Sequence, residues 1–337
     1  MFIGVALLLH AILGGGISGV SFNPYRFFSH YLILLLLVLL SFVVKHDGDY
    51  FLNVINKTLM LFFYSFPVIL ITAALGIVPV HSFGVNYSKP MFPFQEPSHY
   101  YNFLTLCSIV YAQNKGPSLV LVIFLVSLTL YPSATGLAGF GVFILYLLMK
   151  SNINFMKLLT ILVALLLSIF TALEMLGSYY LDRVLFWNSS NLSALVYLQG
   201  MESAYLGFIK SLGVGVGLGQ MSDIVIQTNT AQKILDITGG VHFNIFSGSF
   251  LLSQLVAEFG IFGFCFVFYL VYILMNSRKA LRGARLSEWL PPALILSSMC
   301  EVFIRGYGLL SPIMILCYIG IIIKIKLDKT YSKKGIL

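Results

Sequence analysis

The stretch YLILLLLVLLSFVV, residues 31–44, holds one serine and no charge, and runs of this kind recur along the chain. Such a segment has no face suited to water, so it belongs either in a large core or in lipid. Composition decides between the two. Hydrophobic residues make up 59% of the 337, charged residues only 9%, and the mean hydropathy is +0.94. That leaves too little polar surface to coat a water-soluble fold, so the chain reads as an integral membrane protein. Strands of a membrane barrel would alternate polar and apolar positions, whereas these runs are continuous, so the spans are helices.

With about 20 apolar residues per crossing, the expected fold is an all-α polytopic bundle of ten transmembrane helices. They lie near 2–20, 30–44, 58–80, 98–113, 117–131, 134–149, 157–176, 248–275, 289–304 and 307–323. No basic residue precedes the first apolar run, which fits a spanning helix better than a cleaved signal peptide. With both termini in the cytoplasm, fourteen lysines and arginines fall inside and six outside, as the positive-inside rule requires. NSRKALRGAR and KIKLDKTYSKK anchor that side. The division is then 1–176 for the N-terminal helices, 177–247 for one long outer stretch, 248–323 for the C-terminal helices and 324–337 for a cytoplasmic tail.

The net charge of +8 follows from this orientation. Lys and Arg form no stripe interleaved with aromatics, so nucleic acid is not an expected partner. Cys107, Cys265, Cys300 and Cys317 lack metal or redox spacing and read as buried thiols. The chain has no P-loop, no His/Cys zinc spacing and no serine-hydrolase elbow, so no metal or other cofactor is expected. DGD at 47–49 has the Asp-x-Asp form of nucleotide-sugar enzymes, but it falls in a cytoplasmic loop away from the other candidates.

Polar residues inside or beside such apolar runs are the candidates for chemistry, because charge at bilayer depth is costly. In EVFIRGYGLLSP, residues 301–312, Glu301 and Arg305 are four apart and expected on one helical face at the outer end of the ninth helix. They form either a self-neutralising ion pair or an anion site, since a guanidinium offers phosphate a planar donor fork. Arg183, in YYLDRVLFW, is either a snorkelling interfacial residue or a second such donor. His242 in the outer stretch is a candidate general base, and Glu202 is another. Glu258, flanked by apolar residues in LLSQLVAEFGIFG, needs a partner or a polar cavity. Within 177–247, NLSALVYLQGMESAYLGFIKSLG reads as a surface helix, and GVGVGLGQ, ending on Gln220, permits close backbone approach.

Together the outer stretch, GVGLGQ, SGSFLLSQLVAEFGIFGF and EVFIRGYGLLSP resemble bacterial O-antigen polymerases of the Wzy type. The resemblance spans most of the chain in topology and its second half in local motifs. It implies a metal-independent glycosyltransferase of the bacterial inner membrane that joins undecaprenyl-diphosphate-linked oligosaccharide repeat units on the periplasmic face. Membrane lipids, a chain-length regulator and a flippase of the same pathway are the implied partners. Arg183 and Arg305 are the positions that fit the family's diphosphate-holding arginines, with Glu301, Gln220 and Ser249 in support; His242, Glu202 and Glu258 are the catalytic candidates. Two departures stand out. Ser249 lies near the place where the related ligases carry a histidine, and the Arg-x10-Gly pattern from Arg183 meets Ala194. The rival readings are an O-antigen ligase acting on lipid A core, an oligosaccharide flippase or transporter, and a structural membrane partner.

Overall fold

The structure, a computed structural model, describes residues 2–76, 81–82, 85–86, 91, 93–94, 96–131, 133–151, 191–243, 245, 248–306 and 308–333. Apart from one two-residue antiparallel ladder, β1 (His81–Ser82) with β2 (Val85–Asn86), its regular elements are helices. These are α1 (Phe2–Ser18), α2 (Pro24–His46), α3 (Gly48–Ala74), α4 (Pro97–Lys115), α5 (Ser118–Leu130), α6 (Ala134–Lys150), α7 (Leu192–Lys210) and α8 (Met221–Ile226). There follow α9 (Asn229–Thr238), α10 (Leu251–Phe259), α11 (Ile261–Asn276), α12 (Arg278–Leu281), α13 (Leu286–Ser297), α14 (Met299–Phe303) and α15 (Pro312–Lys333). The helix expected at 157–176 lies outside the described residues.

Two of these helices, over Pro24–Val44 and Gly48–Ala74, are long and apolar enough to cross a bilayer. At 1.5 Å per residue, about 20 residues cover the ~30 Å hydrocarbon layer. Val5–Ser18, Ser118–Leu130, Ala134–Lys150 and Ile261–Asn276 are shorter apolar helices. Several turn large side chains outward: Leu39, Phe42, Leu61, Phe268 and Met275 are 61%, 60%, 73%, 72% and 75% exposed. Soluble monomers seldom leave that much apolar surface bare, which associates the protein with a membrane. Cys265 shares an outward face of α11, unlike the other three thiols, which are buried.

The chain packs as two compact units. The first takes Met1–Leu36, Asn152–Tyr272 and Glu301–Ser311. Its main contact is α7 against α10. Small residues permit it: a Cβ on Gly207 would stand 2.9 Å from Ala257 Cα, and one on Gly200 would stand 2.2 Å from Gly248 O. Val20, Val216 and Ile224 form one apolar cluster, and Met221, Val225 and Ala257 another.

The expected helix over 248–275 is broken at Gly260 into α10 and α11. The cause is the alternating glycine run. Val216 and Gly217 donate their N–H groups to Ala257 O and Glu258 O, each at 2.9 Å, and Ile261 N–H donates to Gly213 O at 2.9 Å. The run thereby satisfies α10 carbonyls that a continued helix would have used itself. A Cβ on Gly215, where φ is +91°, would lie 2.4 Å from Glu258 O; one on Gly260 would lie 1.9 Å from Gly213 O. Only hydrogen fits at both places. His10 adds a lock: its Nε2 meets Val214 O at 2.9 Å and its ring stacks on Phe259.

The second unit takes Leu37–Ser151, Ile273–Cys300 and Pro312–Leu337, with α13 packed on α15 and α4 on α6 and α3. Phe63 stacks on Tyr111 at 4.1 Å, and Tyr100 donates to or accepts from Ser127 at 2.9 Å. The basic NSRKALRGAR segment also closes the C-terminus of α6, where Arg282 Nη2 donates to Ser151 O at 2.6 Å and Nε to Met149 O at 3.3 Å. Cations at that pole offset the helix dipole as well as the orphan carbonyls.

Candidate functional site

Among the described residues of the first unit, buried polar side chains gather around α10. Its N-terminal approach contains Ser249, a non-glycine residue at φ +76°, whose hydroxyl donates to Val196 O on α7. Tyr197, next along α7, stacks on Phe250 at 4.6 Å and donates its hydroxyl to Phe303 O at 3.1 Å. Burial raises the pKa of that hydroxyl above its ordinary range. These contacts tie α7, α10 and the end of α14 into one knot.

Beyond α14 the 304–311 segment straps back over α10. Gly306 N–H donates to Ser249 O at 3.0 Å, Leu309 N–H to Gln254 Oε1 at 3.0 Å, and the Ser311 hydroxyl to Glu301 Oε2. Gln254 Nε2 in turn donates to Glu258 Oε1 at 3.4 Å. Glu258 and Glu301 are both fully buried, at 0% exposure. Glu301 keeps Oε1 without a hydrogen bond among the described residues, while the Glu258 carboxyl, whose Oε2 lacks a well-formed bond, is also faced by the backbone N–H groups of Gly219 and Met221. Both amide atoms of Gln199 on α7 are also buried and without a partner there. Buried polar atoms without partners are costly.

Arg305 is half-buried and stands past the end of α14, which stops at Phe303. It is therefore not on a helical face with Glu301. The reason is local: Gly306 sits 3.0 Å from Glu301 O at its Cβ position, Gly308 takes φ +96°, and Pro312 opens α15 rather than allowing a start at 307. Glu301 faces Ser311 within the fold, while Arg305 rides on the strap.

Gln220 is 2% exposed and its amide is spent on backbone, accepting from Asn23 N–H at 2.7 Å and donating to Leu218 O at 3.1 Å. Glu202 on α7 accepts from Thr230 N–H at 2.9 Å, which places its carboxylate at the N-terminus of α9 beside the Thr228 cap. A carboxylate there answers orphan N–H groups and the helix dipole. Glu202→Ala is accordingly expected to lower stability by about 1 kcal/mol, read as a thermal-unfolding shift in detergent; an unchanged midpoint would detach Glu202 from α9. His242 is exposed in the turn after α9 and makes no hydrogen bond among the described residues. Arg183 and Trp187 lie outside the described residues. The DGD stretch lines an open cleft of about 360 Å³ in the second unit with His46, Ser287 and Lys326.

Sequence reasoning missed Arg26, Gln254, Gln199 and Ser311. Arg26, near the start of α2, stands within electrostatic reach of Asp223 and Glu258. Ser21 donates to Asp223 at 2.8 Å, binding the α1–α2 turn to α8. A signal existed, since Arg26 is the only arginine in the first 182 residues. Gln254 was also legible, being one helical turn before Glu258. Chemically, the arrangement holds Arg305 on a short glycine-containing loop whose later residues bond to Gln254 and the buried Glu301, with the Arg26 guanidinium within electrostatic reach of Glu258.

Comparison with protein-family models, curated proteins and solved structures gives no match for this chain.

Proposed function

We propose that this chain is a polytopic inner-membrane O-antigen polymerase with about ten spans, both termini in the cytoplasm and the 177–247 stretch at the periplasmic face. It transfers a growing glycan from undecaprenyl diphosphate to a sugar hydroxyl of the incoming lipid-linked unit. The observation that carries this reading is the strap after α14, which carries the half-buried Arg305 and is hydrogen-bonded through Leu309 to Gln254 and through Ser311 to the fully buried Glu301.

In the reaction the acceptor hydroxyl oxygen bonds to the anomeric carbon and the bond from that carbon to the diphosphate oxygen breaks. The electron pair leaves with the diphosphate, and the hydroxyl proton passes to a base. Arg305, with Arg183, neutralises the charge growing on the diphosphate, which is the step that fixed cationic donors in a water-poor site accelerate most. His242 is the candidate base, being the exposed imidazole of the outer stretch. Glu202 is already engaged at α9.

Deleting the gene and resolving the surface polysaccharide on a gel tests this. A polymerase loses the ladder and keeps a single repeat unit on the lipid core. Complete loss of attached sugar would instead mean a ligase or flippase and would overturn the proposal.

A further inference from the structure

We infer that Ser311 and Gln254 are positioning residues for Arg305, and that Glu301 and Glu258 act through them rather than on substrate. The inference rests on the proposed diphosphate role of Arg305. It assigns four buried side chains that the reaction scheme leaves without a task.

The strap is fixed at three points: Gly306 to Ser249, Leu309 to Gln254 and Ser311 to Glu301. Arg305 immediately precedes the first of these, and the later two hold the segment that follows it, so that the turn carrying Arg305 is pinned on its C-terminal side. Each depends on a buried carboxyl. A side-chain amide can face either way, and in the wrong orientation Gln254 would present its NH2 to the Leu309 N–H, donor against donor. Glu258 Oε1 accepts from that NH2 at 3.4 Å, which leaves the amide oxygen for Leu309 at 3.0 Å. At the other end the Ser311 hydroxyl has the Glu301 carboxyl as acceptor. Glu301 lies under the strap so closely that a side chain at 306 would press on its Cβ at 3.1 Å. Two acceptors buried in the first unit therefore hold both anchors of the loop, and full burial shields those bonds from competition by water.

The test uses the full chain. In liposomes with undecaprenyl-diphosphate-linked repeat units, Ser311→Ala and Gln254→Leu are expected to lower kcat about tenfold with KM for the lipid-linked donor within about twofold, because Arg305 acts on charge that develops in the transition state. Glu301→Gln keeps an acceptor for Ser311 and is expected to stay within about threefold of wild type in kcat, whereas Glu301→Ala behaves as Ser311→Ala. A second readout needs no turnover. With Cys265→Ser removing the one exposed thiol, half-buried Leu310 replaced by cysteine reports on the strap through its labelling rate with a water-soluble maleimide in detergent. Ser311→Ala should speed labelling at least fivefold, and Ser311→Thr should restore the slow rate. Unchanged kcat and unchanged labelling in Ser311→Ala and Gln254→Leu, with Arg305→Ala inactive, would overturn the inference and leave the function standing. If Arg305→Ala instead leaves chain growth intact, the diphosphate reading fails and the positioning claim for Arg305 fails with it, while the labelling rate still decides whether the strap is held in this way.

Discussion

Gly215→Ala is expected to yield no monodisperse, folded protein, or to lower its unfolding midpoint by well over 10 °C. Two costs combine at this position. The backbone sits at φ +91°, where L side chains are strained, and the new methyl would stand 2.4 Å from Glu258 O and 2.6 Å from Gly260 N. Neither neighbour is a flexible tip; both are backbone at the break between α10 and α11. Relief would require the glycine run to withdraw, releasing the hydrogen bonds of Val216, Gly217 and Ile261. Losses of this type exceed about 4 kcal/mol, a large part of a typical stability of about 5–15 kcal/mol. Gly239→Ala is the matched control, with φ +69° but open space around its Cβ position. It should cost only about 1 kcal/mol. Thermal scans of both variants in one detergent decide the matter: equal shifts would mean that the run is not packed into the break.

Arg305→Ala is expected to slow chain growth by at least a hundredfold, and Arg305→Lys by about tenfold. Removing a donor aimed at developing transition-state charge typically costs 10²–10³ in rate. Lysine keeps the charge but loses the planar fork that engages two oxygens together. The side chain is half-buried and lies beyond the end of α14. The initial rate of glycan extension on a lipid-linked acceptor reports the effect. Wild-type rates for Arg305→Lys would show that the fork is not used.

Much of the helical layout was legible, and the reason is physical. Hydropathy reports burial or lipid contact residue by residue, so α5 and α6 fall within a residue or so of the expected 117–131 and 134–149. What the chain does to itself at long range leaves no such local mark. SGSFLLSQLVAEFGIFGF is apolar throughout and reads as one helix, yet backbone from Gly213 to Gly217 enters at Gly260 and divides it. The glycine alternation did announce a close approach; the partner was forty residues away. Likewise Glu301 and Arg305 have helical spacing, but the Gly306 and Gly308 beside them end the helix and put the two on different structures.

The candidate site shows the same division. That Glu258 and Glu301 would be costly charges followed from their setting in apolar runs, and both are fully buried. Their immediate partners, Gln254 and Ser311, lie four and ten residues away in sequence, so they were within reach of inspection. The link from Glu258 to Arg26 joins positions more than two hundred residues apart and could only come from the fold. Glu202 is the converse case: its carboxylate looked available for proton transfer because nothing in its own helix reveals that α9 begins against it.

The most direct measurement places purified full-length protein in liposomes with undecaprenyl-diphosphate-linked repeat units, a chelator and no nucleotide, and follows glycan length with time. The polymerase reading requires products of two, three and more repeat units together with release of undecaprenyl diphosphate, one molecule for each bond formed. If intact, monodisperse protein leaves the single repeat unit unchanged, or moves it across the bilayer without joining it to another, the central claim is wrong.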